Sequence, residues 1–208
     1  IGKQALAGNT SGSNNIAIGL QSMLGNNGNA GYGNIGIGNY TMTDNDAGNE
    51  NIAIGNSTMA MNRSGSANIA LGSLALESNV SGDANIAIGN SALRSNTGAF
   101  NTAIGYGAML NNTIGGYNIA HGPYCLSSNT VGNNNVAIGS SSLTFNTTGS
   151  ENIALGSAAM FSNTSGDQNI SIGHYSAHAN TTGYENIALG KYSLINNTTG
   201  YANTSIGS

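Results

Sequence analysis

The 208-residue chain carries only four basic and eight acidic side chains, 6% charged where an ordinary globular domain has about 25%, and its net charge is −4. With no basic stripe to neutralise phosphates and no apolar run near the ~18 residues that span a bilayer, it argues against nucleic-acid binding and membrane insertion. The single cysteine, Cys125, excludes an intrachain disulfide.

In chain order, Ile1-Gly2 is the tail of one copy of a repeat. Later copies open at Asn15, Asn34, Asn51, Asn68, Asn85, Asn101, Asn118, Asn135, Asn152, Asn169, Asn186 and Asn203, a period of 17 with one copy of 19 and one of 16. Self-similarity at this period over the whole length predicts one solenoid-type repeat domain, residues 1–208. Beginning and ending inside a copy, the sequence reads as a segment of a longer chain.

Within a copy, counted from its Asn, position 2 is Ile, Val or Thr, position 3 is Ala, Gly or Ser, and position 4 is Ile or Leu except at His121. Position 5 is Gly throughout. Alternation closed by Gly predicts a short strand with positions 2 and 4 on one face and position 3 on the other. Position 8 is always small and position 9 is Leu or Met except Ala177, which predicts a second, shorter strand. Position 12 is Asn, usually followed by Thr or Ser and then Gly, residues that tolerate left-handed backbone and predict the turn. The irregular copies agree with this division. The 19-residue copy carries its extra residues between Gly25 and Gly33, and the 16-residue copy loses one at Asn96-Thr97-Gly98, both in the predicted turn, where register is not disturbed.

Each copy thus predicts one coil of an all-β parallel β-solenoid, or β-roll, of about 12 coils and roughly 55–60 Å in length. Ile52, Ile54, Ile86, Ile88, Leu93, Ile138, Leu143 and Leu155 are the expected coil core. So few apolar side chains per coil fall short of the cost of ordering the backbone, so a partner surface is expected. Position 3 suggests where: a solvent-facing site would sample long polar residues, and uniform smallness implies close approach of another backbone. Ala53, Ala70, Ala87, Ala103, Ala120, Ala137, Ala154 and Ala188 are therefore the expected seam of an intertwined homotrimer. The competing reading is that Ala merely fits a tight coil.

The N-x-A-I-G phrase, followed by a small residue and an apolar one, resembles the head repeat of trimeric autotransporter adhesins. With its Asn-Thr-Thr-Gly turn, as at Asn146 to Gly149, it is also similar to repeats of bacteriophage tail fibres. The resemblance covers the whole chain, although the adhesin-head repeat is shorter by about a turn. It implies left-handed parallel β-rolls wound as homotrimers, with positions 2 to 5 near the threefold axis.

The expected function is that of a non-enzymatic structural and adhesive fibre segment, in a virion tail fibre or a bacterial surface adhesin. It would be extracellular, with itself and a cell-surface glycan or protein receptor as partners. Two alternatives are a monomeric ice-binding β-solenoid, for which Thr147, Thr164, Thr181 and Thr198 recur at position 13, and a matrix or sheath protein without a receptor. No Ser or Cys is paired with a His and an acid in a way that predicts catalysis. Tyr40, Tyr124, Tyr175 and Tyr192 share position 7 and are the candidate receptor or glycan contacts, with packing over the coil edge as the plainer reading. No cofactor is expected beyond an axial metal ion at His121, where three imidazoles converge in a trimer; the plainer reading is a neutral, hydrogen-bonded His. Residues Asp44 to Glu50 are rich in oxygen like a calcium loop, yet Asn45 and Gly48 are already repeat positions. The sequons at Asn9, Asn146, Asn163, Asn180 and Asn197 are read as turn chemistry, and the His174–His178 spacing has helical zinc meaning only on a helix.

Overall fold

The computed structural model describes residues 1–25 and 30–208, so part of the 19-residue copy's extra loop lies outside the described residues. Twelve parallel strands, from β1 (Ile16–Ile18) to β12 (Thr204–Ile206), form one sheet in strictly sequential order. Each strand has three residues, positions 2 to 4 of a copy, and each is paired residue for residue with the next coil. The sheet passes through the 16-residue copy without a slip, Ile86, Ala87 and Ile88 pairing with Thr102, Ala103 and Ile104. The chain is a β-solenoid with a repeat of about 17 residues, and the described residues contain no helix.

The predicted second strand is absent from the described residues. Positions 7 and 9 take left-handed backbone in coil after coil, for example Ser91 at φ 58° and Leu93 at φ 51°. Such residues turn the chain instead of extending it, at roughly 1–2 kcal/mol each. Hydrogen bonds between coils offset the strain: Ser91 N–H donates back to Ser73 C=O at 3.0 Å, and Leu93 N–H donates forward to Ala108 C=O at 3.0 Å.

Alternation of the strand holds, but the inward face is the opposite of the expected one. Ala53, Ala70, Ala87, Ala103, Ala120, Ala137, Ala154 and Ala188 are completely buried inside the single chain, so they cannot be an intersubunit seam. Their smallness comes from packing within the coil. At Gly36, in the same position, an added Cβ would lie 2.9 Å from Ser22 Oγ and 3.1 Å from Met23 Cγ, the side chains of positions 8 and 9. Conversely Ile52, Ile54, Ile86, Ile88, Ile138 and Leu155 point outward and are half-buried or exposed, so they are not the coil core. Leu93 and Leu143 are core residues as expected, in a column of position-9 Leu and Met from Met23 to Met160 with no exposed surface.

Polar groups fill the remaining interior. Asn34 Oδ1 accepts the backbone N–H of Asn51 at 3.0 Å and its Nδ2 at 3.1 Å, while Asn51 Nδ2 also donates to Gly65 C=O at 2.8 Å. Asn62, at position 12 of the same coil, donates from Nδ2 to Asn45 Oδ1 at 2.9 Å and to that same Gly65 carbonyl at 2.8 Å. Two buried amide columns therefore run along the rod, tied together in each coil by the position-15 carbonyl. The arrangement leaves no room at that glycine: a Cβ on Gly149 would lie 2.4 Å from Asn146 Oδ1 and 2.5 Å from Gly166 O. The shortened copy keeps the pattern, Asn96 Nδ2 reaching Gly98 O at 2.7 Å across one residue fewer.

Candidate receptor-contact surface

Because positions 1, 3, 8, 9 and 12 fill the interior, whatever the rod presents to a partner comes from positions 2, 4, 6, 7, 10 and 11 and from the turn. Two outward features stand out. The first is the strand face. Its isoleucines stack from coil to coil, with Ile16, Ile18, Ile54, Ile119, Ile138, Ile172 and Ile206 exposed and the others half-buried. This is an apolar strip running the length of the sheet with nothing over it in a single chain.

His121 interrupts that strip. It ends β7 (Ile119–His121), is exposed, and is aligned with Ile104 on one side and Ile138 on the other. Among the described residues no group of three His, Cys, Asp or Glu side chains is placed to hold a metal ion within one chain. Next to it, Cys125 is buried and its Sγ lies 2.6 Å from Gly139 O and 3.2 Å from Ser142 Oγ. Burial pushes its thiol up, the hydrogen bonds with Ser142 and Gly139 offset this only partly, and the group stays protonated at neutral pH.

The second feature is a run of aromatic rings on positions 7, 10 and 11. Phe145 and Phe161 meet edge to face at 4.9 Å, Phe161 stacks on the His178 imidazole at 5.2 Å, His178 lies 4.9 Å from Tyr175, and Tyr175 lies 5.9 Å from Tyr192. His174 packs against Tyr175 at 4.3 Å, and Lys191 Nζ stands 4.7 Å over the Tyr192 ring. Desolvation holds the His178 imidazole below its ordinary value. Of the four tyrosines singled out from the sequence, Tyr175 and Tyr192 thus belong to one surface. Tyr124 pairs instead with Tyr106 at 5.3 Å, and Tyr40 has no ring partner among the described residues. Phe145 and Phe161 were not identified from the sequence, and His174 and His178, noted there only for their spacing, were not placed beside the tyrosines. Phe145 and Phe161 occupy different positions of their copies, so no periodic signal marks them as neighbours.

The remaining candidates are absorbed by the repeat. Asn146, Asn163 and Asn180 are buried amides of the position-12 column, out of reach of any modifying enzyme in the folded chain. Thr147 Oγ1 donates to Thr164 O at 3.0 Å, Thr164 to Thr181 O at 3.1 Å and Thr181 to Thr198 O at 3.0 Å, so these hydroxyls bond the next coil instead of facing outward to order water. In the calcium-like loop, Asn45 Nδ2 makes the ordinary turn bond to Gly48 O at 3.0 Å, while Asp46 Oδ1 is buried without a hydrogen-bond partner among the described residues. A shallow depression of about 370 Å³ is lined by Thr148, Ser150, Glu151, Asp167 and Gln168. Its acids are engaged between coils, Asp167 Oδ1 accepting from Ser150 N–H at 2.7 Å and Glu151 Oε2 from Gln168 Nε2 at 3.0 Å.

Comparison with protein-family models, curated proteins and solved structures finds no match for this chain.

Proposed function

We propose that the chain is a non-enzymatic segment of an extracellular adhesive fibre, in a phage tail fibre or a bacterial surface adhesin, in which three copies bury their strand faces against one another. The uncovered isoleucine strip carries this reading. A contiguous apolar surface of this length is a mark of an interaction site. The partner that matches it best is another copy of the chain, because only an identical rod repeats the same side chains at the same coil spacing over the whole length. A closed cyclic arrangement covers every strip, whereas an open one leaves edges that aggregate. The proposed seam is therefore the ladder of positions 2 and 4, not the alanines of position 3. His121 then lies in the seam, where three imidazoles form a polar layer capable of holding a metal ion or anion on the axis.

This arrangement leaves the turns and positions 6, 7, 10 and 11 outward, and the aromatic run is the surface suited to a host-cell receptor. Light scattering on the purified chain tests the assembly. Particles of three times the 20.8 kDa chain mass support it, and a monomer at all concentrations overturns it.

A further inference from the structure

We infer that the rings of Phe145, Phe161, His178, Tyr175 and Tyr192, with Lys191 at their end, form a shelf for a linear acidic saccharide built of β-linked uronate units. The inference names the ligand class of the receptor contact and rests on the adhesive reading above.

Geometry comes first. Phe145 belongs to the coil opened by Asn135, Phe161 to the next, His178 and Tyr175 to the third, and Tyr192 to the fourth. Each step between neighbouring rings is 4.9 to 5.9 Å. The run therefore follows the rod axis for roughly 15 Å at the ordinary strand spacing of ~4.8 Å. Its end rings are exposed, Phe145 49% and Tyr192 44%, while Phe161, Tyr175 and His178 between them are half-buried. Phe161 and His178 lie face to face and Lys191 stands over Tyr192, so the strip offers mainly ring edges and the exposed end rings. This narrow apolar strip matches the C–H surfaces and equatorial hydroxyls of an extended sugar chain, and the imidazole and phenol groups supply hydrogen bonds at its rim.

Charge then selects among sugars. The chain has four basic side chains, and Arg94 is engaged with Glu77 at 2.6 Å. Lys191 forms no ion pair among the described residues and is held over Tyr192, at the end of the run. No Asp or Glu belongs to the ring run; the acids of its coils, Glu151, Asp167 and Glu185, stand at positions 16 and 17, where Asp167 and Glu151 are hydrogen-bonded between coils. A lone ammonium beside stacked rings favours a ligand whose sugar carries a carboxylate over a neutral one of the same shape.

The test compares two oligosaccharides of one backbone, a hexamer of β-1,4-linked glucuronate and cellohexaose, which differ in the carboxylate. Titration calorimetry is expected to show the acidic hexamer binding at least tenfold tighter than the neutral one. Lys191→Gln should bring that ratio close to one, while Phe161→Ala combined with Tyr192→Ala should abolish binding of both. The inference is overturned if the wild-type protein binds neither hexamer, or if Lys191→Gln leaves the ratio unchanged. Light scattering on the same samples separates the two readings: intact trimers that bind neither hexamer remove the shelf alone, and monomers that bind the acidic hexamer remove the fibre alone.

Discussion

Asn152 and Asn169 are joined side chain to side chain and side chain to backbone, Asn152 Oδ1 accepting Asn169 N–H at 3.0 Å and Asn169 Nδ2 at 3.1 Å. The same Asn152 donates from Nδ2 to Asn135 Oδ1 at 3.1 Å and to Gly166 O at 2.8 Å. One side chain thus satisfies groups in three coils that water cannot reach. Truncating it by Asn152→Ala leaves buried donors and acceptors without partners, and the expected cost is about 3–5 kcal/mol. Asn90→Ala, at an exposed position-6 amide, should change stability by less than about 0.5 kcal/mol. Guanidinium unfolding of both variants checks the contrast, and equal effects would show that the amide columns do not hold the coils together.

Neighbouring residues on one strand should separate folding from assembly. Ala137 has no exposed surface and Ile138 is 42% exposed. Ala137→Asp places a carboxylate in the coil interior and is expected to destabilise the fold itself by more than about 4 kcal/mol, with loss of β circular dichroism. Ile138→Glu should keep the β spectrum and lose the trimer. Trimers from Ile138→Glu would place the seam elsewhere.

His121 lies between Ile104 and Ile138 on the strip. A polar layer in an apolar seam lowers stability but specifies register, as single buried polar groups do in coiled coils. His121→Ile is expected to raise the melting temperature by a few degrees, on the order of 1 kcal/mol, while native mass spectrometry detects misregistered or larger assemblies. Uniform trimers from this variant would remove the pinning role. Metal analysis of the wild-type trimer should find about one ion per three chains if the imidazoles coordinate one, and a metal-free trimer would leave them as a hydrogen-bonded layer.

The titration of His178 follows from its place between Phe161 and Tyr175. Desolvation lowers its pKa from the ordinary value near 6.5, so the fold favours the neutral ring and the unfolded chain binds the proton first as pH falls. Its contribution to stability is therefore present above about pH 6.5 and is lost as the pH drops through the lower, folded value. Proton NMR should give a midpoint below 6.5 for this imidazole, and His178→Phe, which keeps the stacking, should remove its share of the pH dependence. A midpoint at or above the ordinary value would contradict the stacked, desolvated placement.

The sequence by itself determined the elements that the repeat states directly. The 17-residue period, the strand at positions 2 to 4 and the absorption of the lost residue at Asn96 to Gly98 were all legible in it, whereas the left-handed backbone expected of the Asn146-Thr147-Thr148-Gly149 segment falls instead at positions 5, 7, 9 and 17. They were legible because stacking places each residue on its own equivalent, so the one-coil pattern is also the three-dimensional contact pattern. Tertiary structure alone decided which strand face is inside. Alternation groups Ile86 with Ile88 against Ala87 but is symmetric about the strand, and hydrophobicity favours the wrong choice. The coil closes on a space already filled by the Asn columns and by Leu93, and only a small side chain fits, a methyl in most coils and the bonded hydroxymethyl of Ser171 in one. The same closure brings Phe145, Phe161, His178, Tyr175 and Tyr192 into one run from different positions of four coils, a proximity that no spacing along the chain encodes.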